Sequence, residues 1–345
     1  MRRQTAAEPT AEDRADRSMM RAARVRRYGS VEEVRVETIP VPTPGPGEVL
    51  IRVGAAAVNF PDLLRIAGRY QDNVPLPFTP GSECAGVVEA VGREVNGIRV
   101  GDRVHGTTVI GAFAEYVLAR AHMVRPTPPG FDDDAAAAFG VAYGTAYQAL
   151  RSVAGIRPGE WLVVLGAAGG VGLAGVDLGV QLGARVLAVA GGERKTALCQ
   201  ERGAHVTVDH TGLSPEELRD RIKNATDGGA DVVLDPVGGP YSEPTLRATR
   251  RGGRFVVVGF AAGEIPRIPL NLVLLKGVSI LGYEGRILNR LNPEEAARGR
   301  AEAAALLIER GIRPHISSRH TLDRVVDALS EVANRRALGK VIIRP

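Results

Sequence analysis

Two patterns of apolar and polar positions follow one another along the chain. From Met20 to about Arg125, short alternating or wholly apolar segments such as residues 49–53 and 85–91 are punctuated by Gly and Pro. Alternation with a period of two is the mark of half-buried strands, so this part predicts a compact β-rich domain. The run Pro-Val-Pro-Thr-Pro-Gly-Pro-Gly at 40–47 is a strong breaker between two of its strands, and Pro-Thr-Pro-Pro-Gly at 126–130 ends it. A helical pattern follows over 135–154.

From Glu160 onward strands and helices alternate. The pattern predicts strands over 161–165, 185–190, 206–208, 231–234 and 254–258, with helices over 171–182, 195–202, 215–223 and through Leu246 between them. Such alternation implies a doubly wound parallel sheet covered by helices on both faces. A further apolar strand over 278–281, a helix over 293–310, a helix near 322–334 and a strand over 340–343 complete the chain. The expected division is a tail over 1–19, a first domain segment over 20–140, a nucleotide-binding domain over 141–285 and a closing segment over 286–345.

The first candidate chemistry sits where the second pattern begins. Leu-Val-Val-Leu at 162–165 runs into Gly-Ala-Ala-Gly-Gly-Val-Gly at 166–172, a buried strand, a glycine-rich turn and a helix start. Backbone N–H groups of such a turn can approach a pyrophosphate, and the helix N-terminus adds favourable partial charge. Ala167-x-Gly169-x-x-Gly172 is the dinucleotide fingerprint with its first glycine replaced by alanine, and strand, helix and a second strand at the right distance all agree with it. Ala168, Gly169, Gly170 and Val171 are therefore candidate cofactor contacts.

The end of the second strand selects the cofactor. An acidic residue there would bond a ribose 2′-hydroxyl and repel a 2′-phosphate, but Ala190-Gly191-Gly192 occupies the place, with Arg194 and Lys195 just beyond. NADPH is the expected cofactor, with Gly191, Arg194 and Lys195 at its phosphate. Glu193, between the glycines and the cations, is the feature that would favour NADH.

Composition narrows the class. Of 345 residues, 44% are hydrophobic, enough for two domains with a substantial core. Residues 1–27 hold eight arginines against four acids, so removing them from the formal net charge of +5 leaves the remainder near +1. The basic balance thus belongs to the tail, whose polar makeup predicts disorder, and a nucleic-acid partner is not expected. No apolar run approaches the roughly 18–20 residues of a membrane helix, and no secretory signal opens the chain, so a cytoplasmic location is expected. Cys84 and Cys199 lie far apart and in no ligand-like spacing with the six histidines; His315 and His320 are five apart rather than the four that would align them on a helix face.

With these residues in view, the chain resembles the medium-chain dehydrogenase/reductase superfamily, and within it the zinc-independent quinone oxidoreductases. The resemblance spans nearly everything from Met20 to Pro345. It is carried by Ala-Val-Asn-Phe-Pro-Asp-Leu at 57–63, Pro-Gly-Ser-Glu-Cys-Ala-Gly-Val-Val at 80–88, Gly-Asp-Arg-Val at 101–104, Val-Ala-Tyr-Gly-Thr at 141–145, the turn at 166–172, Ala-Asp-Val-Val-Leu-Asp-Pro-Val-Gly-Gly at 230–239 and Leu-Gly-Lys-Val at 338–341. It implies an α/β protein with a GroES-like β-rich catalytic domain around a Rossmann domain, and a homodimer in which the strand near 278–281 pairs with its copy. Zinc-dependent members place a Cys and a His near Phe60 and Ser82 of this chain, so no metal is expected.

By the same resemblance Asn59 and Tyr70 lie in the substrate cleft as candidate catalytic groups, Thr145, Val237, Gly238, Gly259, Phe260 and Lys340 line the dinucleotide, and His210 lies near the adenine. Asp62 is a candidate cap for a helix starting at Leu63, Cys84 a core residue and Asp235 a structural one. The activity implied is reduction of a quinone or related conjugated carbonyl, an acceptor electrophilic enough to need no metal. Two alternatives stay open: an enoyl-thioester or enone reductase using the same cleft, and an RNA-binding protein that keeps the nucleotide fold without turnover.

Overall fold

The computed structural model describes residues 18–72 and 74–345. The basic tail expected at the N-terminus lies outside the described residues as far as Arg17, and Met19 already belongs to a strand.

The elements in chain order are β1 (Met19–Arg24), β2 (Arg35–Pro40), β3 (Glu48–Ala57), α1 (Phe60–Ile66), β4 (Glu83–Val91), β5 (Arg103–Thr107), β6 (Tyr116–Arg120), β7 (Val124–Pro126) and α2 (Asp133–Gln148). Then follow β8 (Trp161–Leu165), α3 (Gly170–Gln181), β9 (Arg185–Ala190), α4 (Glu193–Glu201), β10 (Val206–Asp209), α5 (Pro215–Ala225), β11 (Ala230–Asp235), α6 (Ser242–Arg247) and β12 (Thr249–Val257). The chain closes with α7 (Leu270–Lys276), β13 (Ser279–Gly282), α8 (Gly285–Leu291), α9 (Pro293–Glu309), β14 (Ile316–Thr321), α10 (Val325–Ala333) and β15 (Lys340–Arg344).

These strands form two large sheets. The first, in the order β14-β15-β3-β4-β5-β7 with β6 on β3, is antiparallel except for the β14–β15 pair. The second, in the order β10-β9-β8-β11-β12-β13, is parallel throughout, as the strand-helix alternation requires. The fold is therefore α/β, a GroES-like β-rich part beside a Rossmann sheet.

Close packing of α3 onto the second sheet explains three of its glycines. A Cβ at Gly172 would stand 2.1 Å from the Gly166 carbonyl oxygen, and Cβ atoms at Gly175 and Gly179 would meet Leu234 and Leu162 at 2.6 Å. Only hydrogen fits on that face, so the helix start is held close to the end of β8.

The structure redraws several element bounds. The helix expected from Leu63 starts at Phe60, because Pro61 suits a first turn and Asn59 takes the N-cap position. Asp62 does act in capping, but from inside the helix: its Oδ2 accepts from the Asn59 N–H at 2.8 Å. The helix expected over 135–154 runs as α from Asp133, where the Asp132 carboxylate caps Ala135 N–H, and changes to a π turn over Ala149–Val153. The helix expected from Lys195 begins at Glu193, directly after Gly192 with φ +90°.

Helix α2 joins the two sheets. Its first half packs on β3, β4 and β5, and its later residues share one apolar cluster with α3, β8 and α9. A buried clasp fixes it there: the Tyr143 hydroxyl donates to Asp177 on α3 at 2.5 Å, and Arg202 pairs with the same carboxylate.

Candidate active site

Where the sheets meet, the C-terminal strand enters from the glycine turn. Gly339 N–H donates to the Ala168 carbonyl at 2.7 Å, and the next residue, Lys340, packs its stem where a Gly170 Cβ would otherwise stand, 3.1 Å away. Two residues of the expected cofactor turn thus touch the first residues of β15 through backbone and side chain.

The Lys340 ammonium then reaches across the ends of the neighbouring strands of its own sheet, past β3 to the start of β4. It donates to Asn59 Oδ1 at 2.6 Å, to the Val58 carbonyl at 3.3 Å and to Glu83 Oε2 at 3.4 Å. Asn59 Nδ2 in turn donates to Glu83 Oε2 at 3.1 Å and to the Ala57 carbonyl at 3.3 Å, and Glu83 Oε1 accepts from Val141 N–H at 2.6 Å. Lys340, Asn59 and Glu83 are all buried, so a charge pair and an amide satisfy one another out of contact with water. Both N–H groups of the Asn59 amide are in use, and its orientation is set by an ammonium on one side and a carboxylate on the other.

Glu83 was not among the residues expected at the site, yet it ties α2, β4 and β15 together. The signal was a lone acid inside the apolar run 80–88. Lys340 was expected to line the dinucleotide; its stem lies against the turn, while its charge faces Asn59 and Glu83.

Asp62 borders the same cluster and is fully buried. Its Oδ1 makes no hydrogen bond, although the Ser82 hydroxyl lies near enough to favour the charged form. Burial pushes the carboxyl up to about 6, against the Asn59 N–H, Ser82, Arg65 and Lys340, which pull it down. An acid whose folded pKa is raised favours folding while it is neutral, so that contribution is lost as pH rises from about 4 through about 6. Asp62→Asn removes the titration. Its unfolding midpoint, relative to the parent, is expected to rise by a few degrees between pH 5 and pH 8; a difference that stays flat over this range would rule out the buried titration.

Tyr70 lies in the loop that follows α1. Its ring lies near two guanidiniums, that of Arg65, 4.4 Å from the centroid, and that of Arg286, 4.9 Å away. Arg65 and Arg286 share the Asp72 carboxylate at 3.0 Å, and Arg286 also donates to Gln71 Oε1 at 2.6 Å. Burial raises the Tyr70 phenol pKa. No hydrogen bond or ring contact joins Tyr70 to Asn59 among the described residues, so the two candidate catalytic groups are held independently.

The remaining candidates form two groups around the glycine turn. Val237, Gly238, Gly259 and Phe260 come together after β11 and β12: a Cβ on Gly238 would stand 2.7 Å from the Phe260 ring, and Val237 closes over Gly166. Asp235 holds this loop by accepting from Val237 N–H, Gly238 N–H and the Ser242 hydroxyl, which bears out its structural reading. Thr145 stands on α2 beside Tyr283, whose hydroxyl donates to Gln148 Oε1 at 2.5 Å.

The second group lies past β9. Gly191 faces His210, with 3.1 Å from a Cβ position to Nε2. His210 lies against Tyr241 with the two rings tilted and their centroids 4.7 Å apart, and its pKa is lowered by burial, with Lys195 and Arg335 adding to the effect. Lys195 donates to the Arg335 carbonyl at 2.7 Å, and Arg335 Nη2 donates to the Ala262 carbonyl. Asp209 is occupied by Gly192 N–H and Thr211 N–H, which hold its carboxyl at about 2. The structure thus gathers Gly191, Lys195 and His210 and adds Arg335, which sequence reasoning missed. It sets Arg194 apart, exposed and acting on His315 instead. Glu193 is exposed at the start of α4.

A dinucleotide suits the glycine turn, the free amides at the start of α3 and the cations past β9. A catalytic zinc does not suit the residues at Phe60 and Ser82. They offer no thiolate or imidazole, Cys84 is buried with its thiol pushed up to about 12, and the nearby carboxylate is already paired with the Lys340 ammonium. Among the described residues no group of three His, Cys, Asp or Glu could hold a metal.

Known proteins share this sequence pattern and fold. Residues 45–129 match the alcohol dehydrogenase GroES-like domain, and residues 170–292 match the zinc-binding dehydrogenase family. Quinone oxidoreductase-like protein 2 of Mus musculus is 38% identical over 312 residues, covering 89% of this chain and 87% of its own. Quinone oxidoreductase of Homo sapiens is 34% identical over 329 residues, covering 94% and 98%. Among solved structures, mycobacterial Rv1454c in complex with NADPH superposes with a TM-score of 0.89 at 29% identity, covering 94% of this chain and all of that one. Escherichia coli quinone oxidoreductase in complex with NADPH gives 0.87 at 25% identity, with the same coverage.

Proposed function

The chain belongs to the quinone oxidoreductases of the medium-chain dehydrogenase/reductase superfamily, and from that premise we propose that it uses NADPH to reduce a quinone or a related conjugated carbonyl compound without a metal. The carrying observation is the buried Lys340–Asn59–Glu83 cluster. It joins the glycine turn to Asn59 through a buried ammonium paired with a carboxylate.

When bound, the cofactor supplies a hydride from its nicotinamide ring. The protein's part is binding and placement. The Gly170 and Val171 amides at the start of α3 would hold the pyrophosphate, beside Ala168 and Gly169, where the Gly169 N–H already closes the turn on the Gly166 carbonyl. Lys195, Arg335 and His210 would hold the 2′-phosphate. Val237, Gly238, Gly259, Phe260 and Thr145 wall the dinucleotide, with Arg194 contributing only distant charge. Asn59, locked by Lys340 and Glu83, fixes the floor of the cleft. Tyr70, steadied by two guanidiniums, presents its phenol as the candidate donor to the oxygen that gains charge. A conjugated acceptor spreads that charge through its own π system, which is why hydrogen bonds can suffice.

The catalytic domain on this reading comprises residues 20–140 and 286–345, and the nucleotide domain residues 141–285. Loss of NADPH absorbance with a naphthoquinone and with a short enoyl thioester in parallel tests the reaction. Turnover of the quinone at least tenfold faster in kcat/KM is expected; turnover of the thioester alone would favour the enone-reductase alternative, and of neither would end the proposal. The two buried, high-pKa cysteines suit a reducing, cytoplasmic setting, and no helix among the described residues is long and apolar enough to cross a membrane.

A homodimer is part of the same proposal. Strand β13 ends the parallel sheet with only β12 beside it, and Ile280, Leu270, Leu274 and Leu275 on and before it are exposed. An apolar sheet edge is normally paired or covered. Light scattering is expected to give twice the chain mass, and Ile280→Lys to give a monomer; a parent protein that is monomeric at micromolar concentration would contradict it.

A further inference from the structure

At the N-terminal ends of β8, β11 and β12 the parallel sheet opens into a cavity of about 320 Å³ that the reaction as proposed leaves without a task. The glycine turn follows the opposite end of β8, so the two places stand a strand length apart, roughly 15 Å. Strand β12 builds the cavity by leaving the ladder. Thr249 pairs with Ala230 and Arg254 with Val232, so four residues of β12 stand between these pairs where β11 has only Asp231. Such a bulge re-aims the side chains it carries. Gly252, at φ +72°, turns the chain there, and a Cβ on Gly253 would stand 2.5 Å from Thr249 Cγ2.

Four guanidiniums and two carboxylates line the cavity: Arg157, Arg250, Arg251 and Arg254 against Glu160 and Asp231. Both carboxylates are already committed. Glu160 pairs with Arg254 at 2.6 Å through one oxygen and accepts from the Arg157 backbone N–H at 2.8 Å through the other. Asp231 in the same way pairs with Arg250 at 2.8 Å and accepts from the Trp161 N–H at 2.7 Å. Arg250 and Arg254 are fixed further by the Gly229 and Ala154 carbonyls, both at 3.0 Å, so half of the cationic wall is rigid. The other half is not spent. Arg251 has a bond of 3.3 Å to the Leu275 carbonyl, and the Arg157 guanidinium has no hydrogen bond or ion pair among the described residues. A single solvated arginine needs no partner; four that converge on one hollow whose acids are used up leave two positive charges in excess.

We propose that this cavity binds a compact oxyanion of two or more charges, of the phosphate or diphosphate class, between Arg157 and Arg251. Guanidinium N–H groups are spaced to match phosphate oxygens, and the two uncommitted side chains supply the charge. No aromatic or aliphatic side chain lines the hollow, so a nucleobase finds nothing to stack on. The ligand is therefore a small anion and not a second dinucleotide. Bound there, it ties together the starts of three strands and, through Arg254 and the Ala154 carbonyl, the end of the π turn that closes α2. Its effect falls on stability.

The test is calorimetry with sodium pyrophosphate at fixed ionic strength, with NADP+ in excess so that the cations past β9 are already occupied. It is run on the parent, Arg157→Gln, Arg251→Gln, their double variant and Lys195→Ala. One equivalent is expected to bind the parent and Lys195→Ala alike, about tenfold more weakly to each arginine variant and more weakly still to the double variant. Affinity should fall with added chloride. Thermal unfolding gives a second readout. Arg157 and Arg251 are exposed, so without the probe their variants are expected to unfold close to the parent's temperature. Saturating pyrophosphate should raise the parent's midpoint by a few degrees and leave the double variant where it was. No binding to the parent, or an unchanged affinity in both arginine variants, would overturn the site. Loss of binding in Lys195→Ala alone would overturn it equally, by placing the probe on the cofactor's cations.

Discussion

Lys340→Met is expected to cost about 3–5 kcal/mol of stability, because it leaves the Glu83 carboxylate buried beside Asn59 with no counter-charge. The methionine fills most of the same volume, so the effect isolates the charge from the packing. Glu83→Gln should be costly for the mirror reason, since it strands the ammonium. The double variant Lys340→Met/Glu83→Gln is expected to recover a large part of the loss, as two residues in one buried network do not contribute additively. Activity should not recover with it. Asn59 would then keep one polar partner from Glu83 but lose the ammonium on Oδ1, and its amide could turn over. Thermal unfolding and kcat/KM on the four proteins of the cycle check this; a Lys340→Met protein within about 1 kcal/mol of the parent would mean that the charge pair is not in place.

That cluster also shows why one half of the site was legible in the sequence and the other was not. The glycine turn, the end of β9 and the loop after β11 are each read within a few consecutive residues, since the backbone makes the site and glycine spacing records the backbone. Glu83 and Lys340 are 257 positions apart, and Lys340 and Asn59 are 281 apart. Nothing local to either announces the pairing, which arises only when β15 inserts beside β3. Asn59 and Lys340 could be named from resemblance, but not that the one orients the other.

The same reasoning separates the cations. Arg194 and Lys195 are neighbours in sequence and equivalent to any reading of composition. On a helix start they point about a quarter-turn apart, and only Lys195 turns toward Arg335 and His210. Arg335 is invisible from the fingerprint because it lies 140 residues beyond Lys195 and comes near it through the loop before β15. The bounds of α1 and α2 moved for local reasons instead: Pro61 and Asp132 start helices earlier than hydrophobic period alone indicates.

Cofactor choice is where the cation cluster should have its largest measurable effect. Lys195→Ala is expected to weaken NADPH binding about 10- to 100-fold while NADH changes by no more than about twofold, since a charge-assisted bond to phosphate is worth roughly 1.5–3 kcal/mol. Arg335→Ala should act in the same direction. Arg194→Ala should have a much smaller effect, because its side chain is exposed and it is not among the charges acting on His210, as Lys195 and Arg335 are. His210 adds a pH signature. Burial, Lys195 and Arg335 hold its pKa below the usual value in the free protein, and a bound 2′-phosphate would raise it. Binding is then coupled to proton uptake, so NADPH affinity should increase as pH falls from 8 toward about 6.5, below which the phosphate begins to lose its own charge. NADH, lacking that phosphate, should show no such slope. Dissociation constants for both cofactors, measured across this range for the parent and Lys195→Ala, decide the matter: an NADPH-to-NADH ratio that Lys195→Ala leaves unmoved removes the lysine, and with it the cluster, from the cofactor site.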